Sequence, residues 1–273
     1  MQVFTKMLLI VLLLAVSAMA LGPVDAVTAI PDEFITSWLI SDPLDFNLDS
    51  SQLSFDQQKA VFDAQQVPVE ALLSSAAKGK FKQDNITFKW RPIQSKTDVI
   101  HLDSRIEHAD YKYVYAHAEL LVDEGGVALF GLGSDDAVRF WVNGDMVHEN
   151  FIGRGVTLDD DLVEVNLKQG RNTLLLQVYN MQQSWGYALR RLGPSSLSTL
   201  FVNAATDGNL DELTRLEKHG ADTNSTVGAG LSAYHTAVIN GRTGVQDWLE
   251  ARGVDADAPM PVMAKILDFM FQK

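Results

Sequence analysis

The chain has 273 residues, of which 47% are hydrophobic and 21% are charged, so it can bury a sizeable core and fold as one or two domains. Its 35 acidic and 22 basic side chains give a formal net charge of −13, which argues against nucleic acid or an anionic membrane as the main partner. Cysteine is absent, which excludes disulfides, thiol catalysis, cysteine-ligated zinc and iron–sulfur clusters.

Residues 1–20 are typical of a secretory signal peptide. Lys6 precedes an unbroken apolar run at residues 7–16, which is shorter than the roughly 20 residues of a membrane span. An uncleaved N-terminal anchor is the alternative. Small residues fit a cleavage after Ala20 or after Ala26, and both remain open. An exported chain without cysteine fits a bacterial periplasm. We therefore expect a periplasmic or secreted bacterial protein with no membrane span after cleavage.

A helical segment is predicted at residues 54–79, before the main β region. Ser54 and Gln57 have the spacing of a capping box, in which each residue satisfies a backbone N–H of the other. Pro68 separates two short helices, and Gly79 suits the end of the second.

Short β-type segments recur at regular spacing between residues 85 and 192. They lie at residues 86–90, 111–120, 127–132, 138–142, 146–148, 162–167, 173–179 and 186–192. Asn143-Gly144 predicts a hairpin, because a type I′ turn requires φ > 0 at both central residues. Many short strands with regular turns predict a β-sandwich or jelly roll.

The segment 111–120 alternates between an apolar face and a face with Tyr113, Tyr115 and His117. We expect His117 to be a hydrogen-bonded interior or edge histidine rather than a functional one.

A 33-residue period begins after a junction at residues 193–196. Gly208 recurs as Gly241, and Leu216 recurs as Leu249. A fixed period of this length is typical of a repeat array.

The repeated unit resembles the ankyrin repeat. Residues 232–237 (SAYHTA) are similar to the helix start of that family, and residues 220–224 are similar to its β-turn. The resemblance implies two repeats plus a capping helix over residues 197–273. It also implies a protein partner bound through the exposed finger, here Ser225, Thr226 and Val227. Two repeats are fewer than the roughly three that a solenoid needs, so the unit is expected to pack on the sandwich or on a partner.

The β region resembles the galactose-binding-like jelly roll that is appended to many secreted bacterial carbohydrate-active enzymes. The residues that carry the resemblance are Trp38-Leu39-Ile40, Trp90, and residues 115–118, 133–144, 167–172 and 185–190. It implies a carbohydrate-binding module over residues 27–193. The segment 133–144 is also similar to the protective-antigen-type lectin fold, in which adjacent aspartates hold calcium at a sugar site.

Asp135, Asp136 and Asn143 are the candidate calcium and ligand residues. Calcium is not favoured, because two aspartates do not complete its set of oxygen ligands, and no other cofactor or metal is predicted. The alternative is a turn in which one carboxylate caps backbone N–H groups and the other faces water. The acidic run at residues 159–161 is expected to be solvated.

Trp185 and Tyr187 are the candidate sugar-stacking residues, since flat aromatic rings pack on the apolar faces of sugars. Packing in the core remains the alternative for Trp185, because large aromatic side chains dominate core burial.

The predicted fold class is multidomain, an all-β sandwich or jelly roll followed by an all-α, short ankyrin-repeat array. The sequence lacks metal-hydrolase histidine spacing, nucleophile motifs and phosphate loops, so we do not expect an enzyme. We expect an exported non-catalytic binding protein with a carbohydrate-binding jelly roll and an ankyrin unit for protein contact. A purely protein-binding envelope adaptor and an accessory subunit of a secreted hydrolase system remain alternatives.

Overall fold

The computed structural model describes residues 26–46, 52–106, 110–228 and 230–256. The predicted signal peptide and the predicted capping helix lie outside these residues. The strands and helices follow one another as β1 (Val27–Thr28), β2 (Ser37–Ser41), β3 (Leu44–Asp45), α1 (Phe55–Ala64), α2 (Val69–Ala76), β4 (Lys80–Gln83), β5 (Ile86–Gln94), β6 (Ile100–His101), β7 (Lys112–Val122), β8 (Gly126–Asp135), β9 (Val138–Val142), β10 (Asp145–Asn150), β11 (Asp161–Leu167), β12 (Gly170–Asn180), β13 (Gly186–Arg191), α3 (Pro194–Asp207), α4 (Leu210–Lys218), β14 (Thr226–Val227), β15 (Leu231–Ser232), α5 (Ala233–Ile239) and α6 (Thr243–Glu250).

Two β-sheets face each other across a shared apolar core. The larger, sheet A, has the order β10-β9-β12-β7-β2-β5-β4, with β1 and β3 also paired to β7. The smaller, sheet B, has the order β11-β8-β13-β6. Val114, Ala116 and Ala118 of sheet A share the core with Phe130 and Leu132 of sheet B. The apolar face predicted for β7 is therefore the face that closes the sandwich.

Helices α1 and α2 cover the outer face of sheet A. Phe62 of α1 and Leu72 of α2 are fully buried against the aromatic side chains of that face. The predicted capping box is confirmed at the start of α1, where Gln57 N–H donates to Ser54 Oγ and Ser54 N–H donates to Gln57 Oε1. Because helices cover the outer face, β7 is buried on both of its faces.

The predicted Asn143-Gly144 hairpin is confirmed between β9 and β10. Asn143 has φ of 55° and Gly144 has φ of 95°, as a type I′ turn requires. The two strands pair antiparallel on either side of the turn. The turn therefore fixes the edge of sheet A.

The predicted fold class, with an all-α ankyrin-repeat array after the sandwich, is wrong. No ankyrin-like helical array is evident in the part of the chain that the structure describes. Helices α3 to α6 form one small cluster whose apolar core continues into Leu129 of β8 and Leu192 after β13. The helices therefore bury their apolar faces against one another and against the outer face of sheet B, and the 33-residue period reflects two helix pairs.

Asp32 joins the start of the sandwich to the start of α3. Its carboxylate accepts hydrogen bonds from the backbone N–H groups of Gly193 (2.8 Å), Ser195 (3.0 Å) and Ser196 (3.0 Å), and from the Ser196 hydroxyl. Partial burial opposes ionisation, but these hydrogen bonds outweigh it and lower the pKa of Asp32. A carboxylate at a helix N-terminus is stabilised by the exposed N–H groups there, so Asp32 holds α3 on the sandwich.

Candidate functional site

Asp135 and Asp136 lie together at one end of the sandwich, where β8 ends, and a cis peptide bond joins them. Asp136 Oδ1 accepts from the backbone N–H of Arg154 (2.9 Å), and Oδ2 accepts from the backbone N–H of Met181 (2.6 Å). Burial raises the pKa of Asp136, although these hydrogen bonds act in the opposite direction. Asp136 therefore links the loops that contain Arg154 and Met181 to the end of β8 by hydrogen bonds, as the predicted capping turn implies.

Asp135 is covered by the loop before β13. Its side chain accepts a hydrogen bond from Ser184 Oγ (2.7 Å), and the residue is only 5% exposed. Burial raises the pKa of Asp135 to about 6, and the negative charges of Asp136 and Asp103 add to the shift. The expectation that the second carboxylate faces water is therefore wrong.

The run of three aspartates at the start of β11 is paired with arginines. Arg154 Nη1 donates to Asp160 Oδ2 (2.7 Å), and Arg154 Nη2 donates to Asp161. Arg190 pairs with Asp159 in the same way. The prediction of a solvated run is wrong, because the fold places the guanidinium groups of the nearby Arg154 and of the distant Arg190 against these carboxylates.

The described contacts of Asp135 and Asp136 are hydrogen bonds to neighbouring groups of the chain. Ca²⁺ takes about six to eight oxygen ligands, and each Asp136 oxygen accepts one backbone N–H group. Within residues 26–256, apart from the short gaps in the description, no group of three or more His, Asp or Glu side chains is placed to hold a metal ion. The contacts of Asp136 are those of the predicted capping turn.

Trp185 and Tyr187 lie at the same end of the sandwich but inside the core between the sheets. Trp185 is 1% exposed, and Tyr187 is completely buried. The Tyr187 ring packs edge-on against Trp38, with the ring centroids 5.3 Å apart. Neither ring presents a face to solvent, so both are core residues, which is the alternative predicted for Trp185.

Asn143 lies at the opposite end of β9 from Asp136. Its Nδ2 donates to Asn172 Oδ1 (2.9 Å), and its Oδ1 accepts from the backbone N–H of Thr173 (3.1 Å). The structure therefore does not bring Asn143 together with the aspartate pair. In this structure its side chain fixes the hairpin turn against β12.

The predicted protein-contact residues lie in the C-terminal helical cluster. Thr226 and Val227 form β14, which pairs with β15, and Ser225 Oγ donates to the carbonyl of Asp222 (2.7 Å). Thr226 is exposed, whereas Val227 packs partly against the helical core.

A cleft of about 390 Å³ lies between α1 and the place where β3 pairs with β7. Its volume falls within the roughly 300–1,000 Å³ that is usual for small-molecule sites. The cleft is lined by Asp45, Phe46, Ala60, Val61, Ala64, Gln65 and Tyr113.

The cleft combines an apolar wall with a polar rim. Phe46 and the aliphatic side chains of α1 form the wall, and the exposed Asp45 lies at the rim, where Lys112 Nζ approaches its Oδ1 to 2.5 Å. A tyrosine phenol is protonated at neutral pH, and burial raises the pKa of Tyr113 further. The cleft can therefore present hydrogen-bonding groups beside an apolar surface.

Sequence reasoning found one wall of this cleft and missed the cleft itself. The alternation in β7 assigned Tyr113 and Tyr115 to one face, and the capping box located the start of α1. Neither pattern predicts that β3 pairs with β7 or that α1 lies across the tyrosine face of β7. Both depend on contacts between residues far apart in sequence.

No protein-family model and no curated protein matches the chain. Among solved structures, it is similar to a β-glucosidase from Kluyveromyces marxianus in complex with glucose, at 12% identity and a TM-score of 0.35, over 62% of this chain and 18% of that chain. It is similar to a PA14 sugar-binding domain from an RTX adhesin, at 16% identity and a TM-score of 0.31, over 57% of this chain and 91% of that chain. It is also similar to a family 35 carbohydrate-binding module from Clostridium thermocellum, at 16% identity and a TM-score of 0.23, over 36% of this chain and 89% of that chain.

These structural neighbours thus include carbohydrate-binding modules, but each likeness is low and partial. The chain spans less than a fifth of the length of the β-glucosidase. Across the described part of the chain, the helices are too short or too polar to cross a membrane.

Proposed function

We propose that the protein is an exported, non-catalytic binding protein whose β-sandwich binds a neutral carbohydrate in the cleft beside α1. The observation that carries the proposal is the composition of the cleft, an aromatic and aliphatic wall beside a carboxylate and a phenol. A pyranose ring has apolar C–H faces and a rim of hydroxyl groups, so it requires both kinds of surface at once.

The charges around the cleft favour a neutral ligand. Lys112 is paired with the rim residue Asp45, and Arg139, behind the cleft, is paired with Glu149. An anionic ligand would have to compete with Asp45 for Lys112 or with Glu149 for Arg139.

The side chains in the cleft support binding rather than bond cleavage. Glycoside hydrolysis commonly uses two carboxyl groups that flank the scissile bond. Among the described lining residues, Asp45 is the single carboxylate. Export follows from the predicted signal at residues 1–20 and belongs to the same proposal.

The test is binding of the full chain to an array of neutral and acidic oligosaccharides, with calcium and with a chelator. We expect binding to neutral glycans that is independent of calcium. Asp45→Asn should weaken this binding, because a carboxylate at the rim accepts hydrogen bonds from sugar hydroxyl groups more strongly than an amide does.

Asp63→Asn is the matched control, because Asp63 is another exposed carboxylate paired with a lysine, here Lys59 on α1, and is not among the lining residues of the cleft. Equal binding by the two variants would contradict the assigned site. A protein that binds none of the glycans would contradict the proposed function and would leave the protein-binding adaptor as the better hypothesis.

A further inference from the structure

The outer face of sheet A carries a row of buried polar side chains beneath α1. Arg139, Gln177 and Tyr115 are paired across β9, β12 and β7, and Tyr179 lies two residues further along β12. Gln177 is completely buried, and the other three are at most 5% exposed. A helix that only covers a sheet is usually seated on apolar side chains, so this row, here called the polar platform, requires an explanation.

One atom of the polar platform has no hydrogen-bond partner within the described residues. Gln177 Nε2 donates to Tyr115 Oη (3.2 Å) and to Gln65 Oε1 (3.0 Å). The other end of the same amide, Oε1, is buried and accepts from no described group. An unpaired buried acceptor costs free energy, so the platform is incompletely satisfied as it stands.

Gln65 reaches the polar platform from the end of α1. Its Oε1 accepts from Gln177 Nε2 and from the Tyr179 hydroxyl, and its side chain also lines the cleft. The amide oxygen of Gln65 therefore stands between the cleft and the platform.

We propose that a saccharide bound in the cleft displaces the Gln65 side chain and extends onto the polar platform. This inference rests on the proposed function. A hydroxyl group both accepts and donates hydrogen bonds. It can therefore accept from Gln177 Nε2 and Tyr179 in place of Gln65, and it can donate to Gln177 Oε1, which Gln65 Oε1 cannot do because it lacks a proton. Gln65 thus occupies the ligand position of its own binding site.

The experiment is calorimetric titration of the full chain with galactose, glucose, lactose and cellobiose. Gln65→Ala should bind the preferred saccharide about 3- to 10-fold more tightly than the unchanged protein, since the ligand no longer has to break hydrogen bonds of ordinary strength. Gln65→Asn, whose shorter side chain should not reach Gln177, should shift in the same direction and serves if the alanine variant does not fold. Gln66→Ala, at the exposed neighbouring position, should bind as the unchanged protein does.

The inference would be overturned if the unchanged protein binds a saccharide and the folded Gln65→Ala and Gln65→Asn variants bind it with equal or lower affinity. That result would leave the proposed function intact. Absence of binding by the unchanged protein and by all three variants would overturn the proposed function together with the inference.

Discussion

The free energy of unfolding should depend on pH through His117. This side chain is 4% exposed on the outer face of sheet A, beside the ring of Trp90, and its Nδ1 has no hydrogen-bond partner among the residues described. Burial lowers the pKa of His117 from 6.5 to about 4. Because Nδ1 has no partner among the described residues, the expectation that His117 is fully hydrogen-bonded is wrong.

The sign of the effect follows from the two protonation states. Between pH 6.5 and pH 4, the unfolded chain binds a proton at His117 that the folded chain excludes. The free energy of unfolding therefore falls as pH decreases through this window, and the full contribution is present above pH 6.5. A shift from 6.5 to about 4 corresponds to a loss of about 3 kcal/mol below pH 4, and to a loss of about 2 kcal/mol at pH 5.

The assay is urea unfolding of the unchanged protein and of His117→Leu at pH 7.5 and pH 5, followed by tryptophan fluorescence. Leucine is close in size to histidine and does not titrate, so the variant should lose about 2 kcal/mol less than the unchanged protein between the two pH values. His101→Gln, at an exposed position, should show the pH dependence of the unchanged protein. An equal loss for His117→Leu and the unchanged protein would refute a buried neutral imidazole.

Three further changes test how the layers are held together. Asp32→Ala should lower the free energy of unfolding by about 2 kcal/mol, because it removes a charged helix cap. Chemical denaturation of this variant and of the control Glu33→Ala measures the effect, and equal free energies of unfolding for the two variants would contradict the cap. Arg139→Met should lower the free energy of unfolding by about 1–3 kcal/mol, because it removes the buried guanidinium that donates to the Phe62 carbonyl of α1 and pairs with the partly exposed Glu149; faster hydrogen exchange in α1 is the diagnostic result, and unchanged exchange would count against it. Asp135→Asn should stabilise the protein more at pH 7.5 than at pH 4, because the pKa of Asp135 is raised to about 6 and its ionised form is disfavoured in the folded state. Thermal unfolding at both pH values measures this, and an equal rise in the unfolding temperature at the two pH values would disprove it.

The sequence was informative wherever structure is local. The alternation of apolar and polar residues located β7, turn chemistry located the β9–β10 hairpin, and the Ser54–Gln57 capping box located the start of α1. Each of these signals depends on residues within one turn or one strand. Local patterns also predicted the helix pairs after residue 193, but they did not report that these helices share a core with β8.

The candidate site was beyond the reach of local patterns. The cleft exists because β3 and α1, separated by residues outside the described structure, both lie against β7. Asp135 and Trp185 were selected by residue type, and burial decided their roles. Burial of an acidic or aromatic side chain depends on which elements cover it, and a single sequence does not contain that information.

Hydrogen exchange with and without bound saccharide tests the central claim most directly, using whichever of galactose, glucose, lactose or cellobiose binds in titration. We predict slower exchange in α1 and in the first half of β7, which form the cleft. Protection confined to residues 134–137, at the end of β8, and to the loop at residues 181–185, or no binding of any of the four sugars, would contradict it.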